Sequence, residues 1–188
     1  MSRRPRVLNA FRRHRNTHGH RRRRDEFTEA IVLQPNRPEG YEMRARLWLQ
    51  RGFADNALID ITDALRFGGY TVDRYRLKAE ALLAAGNNYG AADAASEIMR
   101  RGPLDARLFA IRGTAYLRRE MFGEAIRDLG YAIENDASFR DQLRPALAEA
   151  YFRRGKALEK SGRVKEAQDD IARARELGWT DGSAVAHR

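Results

Sequence analysis

The sequence predicts an all-α fold, an α-solenoid of helix-turn-helix repeats, and three observations predict it. Corresponding residues recur 34 apart: Gly52 and Gly86, then Leu49, Leu83 and Leu117, then Ala57, Ala91 and Ala125. Between these markers apolar residues keep three- and four-residue spacing, as in Ala57 with Ile61 and Ala64, or Ala125 with Leu129 and Ala132. That is the stripe of an amphipathic helix. No segment shows the alternation of a convincing strand.

The elements follow in chain order. Residues 1–24 hold ten Arg and no acid, the first acid being Asp25. Removing those ten from the 36 basic residues leaves 26 against 26 Asp and Glu. A basic arm therefore precedes a formally neutral body. In residues 25–37, Phe27, Ala30, Ile31 and Pro35 stand one period before Ile61, Ala64, Leu65 and Gly69. This reads as a half-repeat, the second helix of an earlier copy. Its first helix falls in Arg- and His-rich sequence, with Arg23 where a small residue is needed.

Full copies are expected at 38–71, 72–105, 106–139 and 148–178. The first three turns are Trp48-Leu49-Gln50-Arg51-Gly52, Leu82-Leu83-Ala84-Ala85-Gly86 and Tyr116-Leu117-Arg118-Arg119-Glu120, with Glu120 in the place of Gly. In the fourth copy Gly162 lies 42 residues after Glu120, so residues 140–147 form an insert of eight. Eight residues make about two helical turns. Pro145 predicts a break there, a short helical turn followed by a new helix start near the proline.

The array is expected to end with copy four. Counting from Pro38, Val72, Ala106 and Ala148, positions 21 and 28 are Leu58 and Leu65, Ala92 and Met99, then Ile126 and Ile133. They become Gln168 and Arg175 in the last copy, which makes its final helix a solvated cap. Gly178 suits the place just past a helix end, and 179–188 reads as a tail.

Position 4 carries Tyr41, Tyr75, Phe109 and Tyr151, position 8 Ala45, Ala79, Gly113 and Gly155, and position 20 Ala57, Ala91, Ala125 and Ala167. With the period, this pattern resembles the tetratricopeptide repeat (TPR). The resemblance implies antiparallel helix pairs in a right-handed superhelix. Position 17 departs from it at Ala54 and Asn88, where Phe122 and Val164 fit, and Tyr89 is expected to fill the gap in copy two.

Chemistry for catalysis is sparse. The chain has no Cys, and its His are His14, His18, His20 and His187, outside the repeats. Nucleophile–base pairs therefore lack a base in the body. Asp128 and the Asp169-Asp170 pair read as solvated charge on outward helix faces. No glycine-rich phosphate loop follows a strand. His14, His18 and His20 stand among seven Arg without a carboxylate, which disfavours a cation. No enzyme, cofactor or metal is expected. No apolar stretch approaches a membrane span or a secretory signal, so a cytoplasmic protein is expected.

Partners remain. The resemblance implies that first helices form a concave binding face. Its residues are Glu42, Arg46 and Leu49, Arg76, Glu80 and Leu83, Arg107, Thr114 and Leu117, then Phe152 and Lys156. The three Leu are expected to line up as an apolar rib with Phe152 near its far end. Glu42 with Arg46 and Arg76 with Glu80 have the spacing of intrahelical ion pairs. Chaperone-binding members of the family clamp a carboxylate with Lys and Asn at positions 5 and 9; Glu42 and Arg46 stand there, so that ligand is not expected.

The function expected is a protein–protein adaptor, monomeric or weakly self-associating, that takes a peptide or helix in the groove. The alternative is a nucleic-acid-associated factor whose arm grips phosphate. Arg12, Arg13, Arg15, Arg21, Arg22, Arg23 and Arg24 would contact RNA, DNA or an anionic surface without sequence readout. Val7, Leu8 and Phe11 give the arm no interleaved aromatics for base stacking.

Overall fold

A computed structural model describes residues 20–102 and 104–180, and among these every regular element is helical. The all-α expectation holds. The chain divides into two compact units, Met1–Ala85 and Gly86–Arg188. In the first, the described helices are α1 (His20–Leu33), α2 (Pro38–Gln50), α3 (Ala54–Gly68) and α4 (Val72–Ala84). Each packs on the next, with α2 and α3 the most extensive pair. The second holds α5 (Asn88–Arg101), α6 (Ala106–Arg118), α7 (Phe122–Asn135), a 3-10 turn at Ala137–Phe139, α8 (Arg140–Lys160) and α9 (Val164–Glu176). There α6 pairs with α7 and α8 with α9.

Local sequence starts and stops these helices. Thr71, Asn87 and Asp105 accept the backbone N–H of Arg74, Gly90 and Arg107 at 3.1, 2.9 and 2.8 Å, capping α4, α5 and α6. Pro38 opens α2, where its missing N–H costs nothing. Gly52, Gly86 and Gly162 turn the chain at φ near +79°, and Glu120 adopts φ 62° at the matching turn. A side chain there is strained by about 1 kcal/mol.

Small residues set how close the paired helices come. Ala57, Ala91, Ala125 and Ala167 are fully buried. A Cβ added at Gly113 would meet the Leu129 backbone nitrogen at 2.9 Å. At Gly155 it would meet the Ala167 carbonyl at 3.0 Å.

An arginine at position 7 and an aspartate at position 23 join the two helices of a copy. The Arg44 guanidinium donates to both carboxylate oxygens of Asp60 at 2.8 and 2.7 Å. Arg112 does the same to Asp128 at 2.7 and 3.0 Å, and Arg154 to Asp170 at 2.6 and 2.7 Å. The hydrogen bond to the carboxylate raises each arginine above its ordinary range, against the opposing effect of burial. A raised value stabilises the fold below the ordinary arginine range and is lost only at still higher pH. These pairs therefore add no pH dependence near neutrality.

In the first and third copies the same guanidinium also reaches the preceding second helix. Arg44 donates to the Thr28 hydroxyl at 3.1 Å, and Arg112 to that of Ser96 at 3.3 Å. Copy two has Lys78 and Ala94 at these positions, and the division between the units falls inside that copy.

Three expectations are corrected. Asp128 and Asp170 are 6% and 7% exposed, not solvated, because each has its arginine. The last four arginines of the basic run, Arg21 to Arg24, fall within α1, which begins at His20. Pro145 lies inside a continuous α8. As the sixth residue of α8 it lies past the first turn and removes the N–H bond to the Asp141 carbonyl. The insert packs Leu143 and Leu147 into the core with Ile126 and Leu129. Tyr89 does not fill the core gap at Asn88; it is 66% exposed.

Removing Asp128 alone leaves the Arg112 charge half-buried without its partner. Asp128→Ala should lower unfolding free energy by about 2–4 kcal/mol, whereas Arg112→Met with Asp128→Leu should stay within about 1 kcal/mol of wild type. Urea denaturation followed by circular dichroism checks both; equal losses would show that packing, not charge pairing, sets the cost.

Candidate peptide-binding surface

In the first unit the first helices α2 and α4 contact each other directly. Glu42, on α2, is half-buried and accepts from Arg74 Nε on α4 at 2.6 Å. Arg46 Nη1 lies farther from the same carboxylate, at 3.7 Å. The expected Glu42–Arg46 pair is thus secondary to a cross-helix pair that intrahelical spacing gave no reason to expect. Arg74 also donates to the carbonyl of Gly68 and, at 3.1 Å, to that of Gly69, closing the end of α3. Arg76 donates to Asp73 at 2.9 Å, and Glu80 is half-buried four residues on. Leu49 and Leu83 are both half-buried, and Leu49 leans on the core formed by Tyr41, Ile61 and Leu77.

The second unit is different. Arg107 is exposed at the start of α6. The Thr114 hydroxyl donates to the Ala110 carbonyl at 2.8 Å, within its own helix. Leu117 is 2% exposed and belongs to the core cluster that also holds Leu143 and Leu147 of the insert. It is therefore a packing residue, and the expected three-leucine rib does not extend to it.

Phe152, on α8, is covered by Trp179, whose ring stacks on it at 4.9 Å between centroids and 24° between planes. Two features hold Trp179 there. Its N–H bonds the Ala174 carbonyl at 2.9 Å across Gly178, which has φ 94°. Arg144, from the insert, donates to the carbonyls of Leu177 and Glu176 at 3.0 and 3.1 Å, capping α9. Trp179 falls in the stretch expected to be tail, since nothing periodic marks it. Lys156 pairs with Glu159 on its own helix. Gln168 and Arg175 are exposed on α9.

A recess of about 350 Å³ in the second unit is lined by Arg154, Leu158, Arg163, Glu166, Asp169 and Asp170. Both its guanidiniums are engaged, Arg154 by Asp170 and Arg163 by Glu166 at 2.7 Å. Glu166 is held below the usual carboxylate range by that bond. Among the described residues no group of three His, Asp or Glu is placed to hold a metal ion. No described helix is long and apolar enough to cross a membrane. For the arm, Arg24 pairs with Asp25 at 3.1 Å and Arg21, Arg22 and Arg23 ride the first turn of α1. Arg12, Arg13 and Arg15 lie outside the described residues.

Comparison with protein-family models finds no match, and neither does comparison with curated protein sequences. Solved structures do match. MamA from Desulfovibrio magneticus aligns with TM-score 0.64 and 18% identity over 91% of this chain and 90% of that one. YrrB, described as a TPR protein with an unusual peptide-binding site, aligns with TM-score 0.63 and 16% identity over 85% and 78%. A thermophilic TPR protein of Thermus thermophilus aligns with TM-score 0.54 and 25% identity, covering 85% of each chain. These likenesses establish a TPR-type helical-repeat fold.

Replacing Trp179 by Ala uncovers Phe152 and loosens the end of α9. The loss should be about 2 kcal/mol for a partly buried indole, roughly 4–8 °C in Tm for a chain of this size. Differential scanning calorimetry reads it; an unchanged Tm would show that the stack carries no stability.

Proposed function

We propose that this chain is a non-enzymatic interaction scaffold that holds a peptide or helix of a partner protein on the first-helix face of its repeats. One observation carries the reading. On α2 and α4, Leu49 and Leu83 are accessible beside charged groups fixed by cross-helix bonds, Glu42 to Arg74 foremost. Apolar contact area next to immobilised polar groups is what peptide recognition needs, because little side-chain entropy remains to be lost on binding. Arg46, Arg76 and Glu80 are the other charged groups of these two helices. In the second unit Arg107, Thr114 and Lys156 are polar groups of its own first helices. The TPR-type fold supports the scaffold role.

Because Leu117 is buried, the test acts on the first unit. Leu49→Glu with Leu83→Glu should leave the helical circular dichroism unchanged. Affinity should fall at least about tenfold, or 1.4 kcal/mol, for peptides selected by phage display on the wild-type protein. Undiminished binding by the double variant would place the interaction on another surface.

A second reading rests on the ten arginines of residues 1–24, which would add salt-dependent contact with nucleic acid. Since α1 begins at His20, the truncation that tests it removes residues 1–19 and spares the helix. The full chain should bind a mixed-sequence RNA with a log–log salt slope of several units, and the truncated chain should bind with a slope lower by several units. Equal slopes, or no binding by the full chain, would sink this reading.

A further inference from the structure

The turn that follows α6 holds a cation without a counter-charge. Arg119 lays its guanidinium over Tyr89, with Cζ 3.9 Å from the ring centroid, and the Tyr116 ring lies 5.7 Å away. Its Nε is shielded from solvent with no hydrogen-bond partner. The other arginines seated on rings in this unit all have an acid. Arg112, beside Phe109, has Asp128; Arg153, over Phe122, has Glu120 and Glu149; Arg154, beside Tyr151, has Asp170. Arg119 makes no such pair among the described residues, and the carboxylate of Glu120 beside it is drawn to Arg153.

A half-buried charge and a shielded N–H without an acceptor both cost free energy, which the tyrosine faces offset only in part. The platform is itself out of place as a core residue, being 66% exposed beside the core gap at Asn88. With Nε turned away from water, the two Nη groups remain. Together they present the edge that matches the two oxygens of a carboxylate.

We propose that Arg119, fixed on Tyr89 and Tyr116, is the docking point for a carboxylate of an acidic peptide partner. This rests on the scaffold reading above and gives that partner its chemistry. Charge balance favours a peptide side chain over a nucleic-acid backbone. Arg153 holds Glu120 and Glu149, which leaves the Arg119 guanidinium at the turn for a single carboxylate. A polyphosphate would meet Glu120 as well.

The full-length protein serves for the test. Arginine Nε–Hε NMR signals are followed during titration with sodium acetate, and the Arg119 signal is assigned by its loss in Arg119→Gln. That signal should shift saturably and by more than the signal of solvent-exposed Arg175. Fluorescence anisotropy then compares short peptides of alternating Leu and Glu with their Leu–Gln counterparts. Wild type should prefer the Glu peptide about tenfold. Arg119→Gln and Tyr89→Leu should abolish the preference while circular dichroism stays unchanged.

A preference retained in Arg119→Gln, or an acetate shift no larger than that of Arg175, overturns the proposal. So does a loss confined to an oligothymidylate probe, which would make this a phosphate site. An acetate response with neither peptide bound upholds the carboxylate site while sinking the scaffold reading, so the two failures are distinguishable.

Discussion

The bidentate bond from the position-7 arginine to the position-23 aspartate is the constraint around which the copies are built. Asp60, Asp128 and Asp170 are removed from water between paired helices, and a carboxylate tolerates that only when it is paired and hydrogen-bonded. The planar fork of arginine accepts little rotation or sliding, so the bond fixes the register of one helix against the other. Through Thr28 and Ser96 the same guanidinium also specifies the neighbouring second helix. Small residues at positions 8 and 20 set how closely the helices approach; the arginine sets where along their length they meet.

Copy two shows what its absence means. Lys78 and Ala94 cannot make the pair, and the chain divides into its two units within that copy. Lysine offers a point charge without the fork, and here it lies 5.4 Å from the ring of Tyr75. The same copy lacks an aromatic at position 17. Copy one lacks that aromatic too, at Ala54, yet keeps its Arg44–Asp60 pair.

The period, the helix pairs and the small-residue contacts were legible because they depend on residue size and spacing. Charge was harder to read. An aspartate on a helix looks solvated until its partner is found, and Asp128 has its partner sixteen residues upstream. The signal was present, since Arg44 and Asp60, Arg112 and Asp128, and Arg154 and Asp170 all keep that spacing. It becomes visible only when the copies are compared at both positions together. Pro145 differs from the expectation for another reason: the one backbone bond lost in the second turn of α8 is offset by the core contacts of Leu143 and Leu147 on either side of it. Leu117 and Phe152 stand on the first helices as expected, but Leu117 shares its core cluster with the insert's Leu143 and Leu147, and Phe152 is stacked by Trp179.

Those non-repeating pieces decide which first-helix residues stay available. In the second unit Leu143 and Leu147 of the insert join the core that buries Leu117, Arg144 caps α9, and Trp179 covers Phe152. That unit has turned most of its apolar first-helix side chains into its own stability. Its polar turn has moved the other way. Tyr89 stands outside the core and Glu120 holds a strained φ, while Arg119 is immobilised without an acid. Local rules are broken together at this one place, which is where the proposed carboxylate site lies. The first unit instead keeps Leu49 and Leu83 accessible beside fixed charges. Each unit by itself thus offers one kind of contact, the first an apolar one on α2 and α4, the second a charged one at the turn after α6.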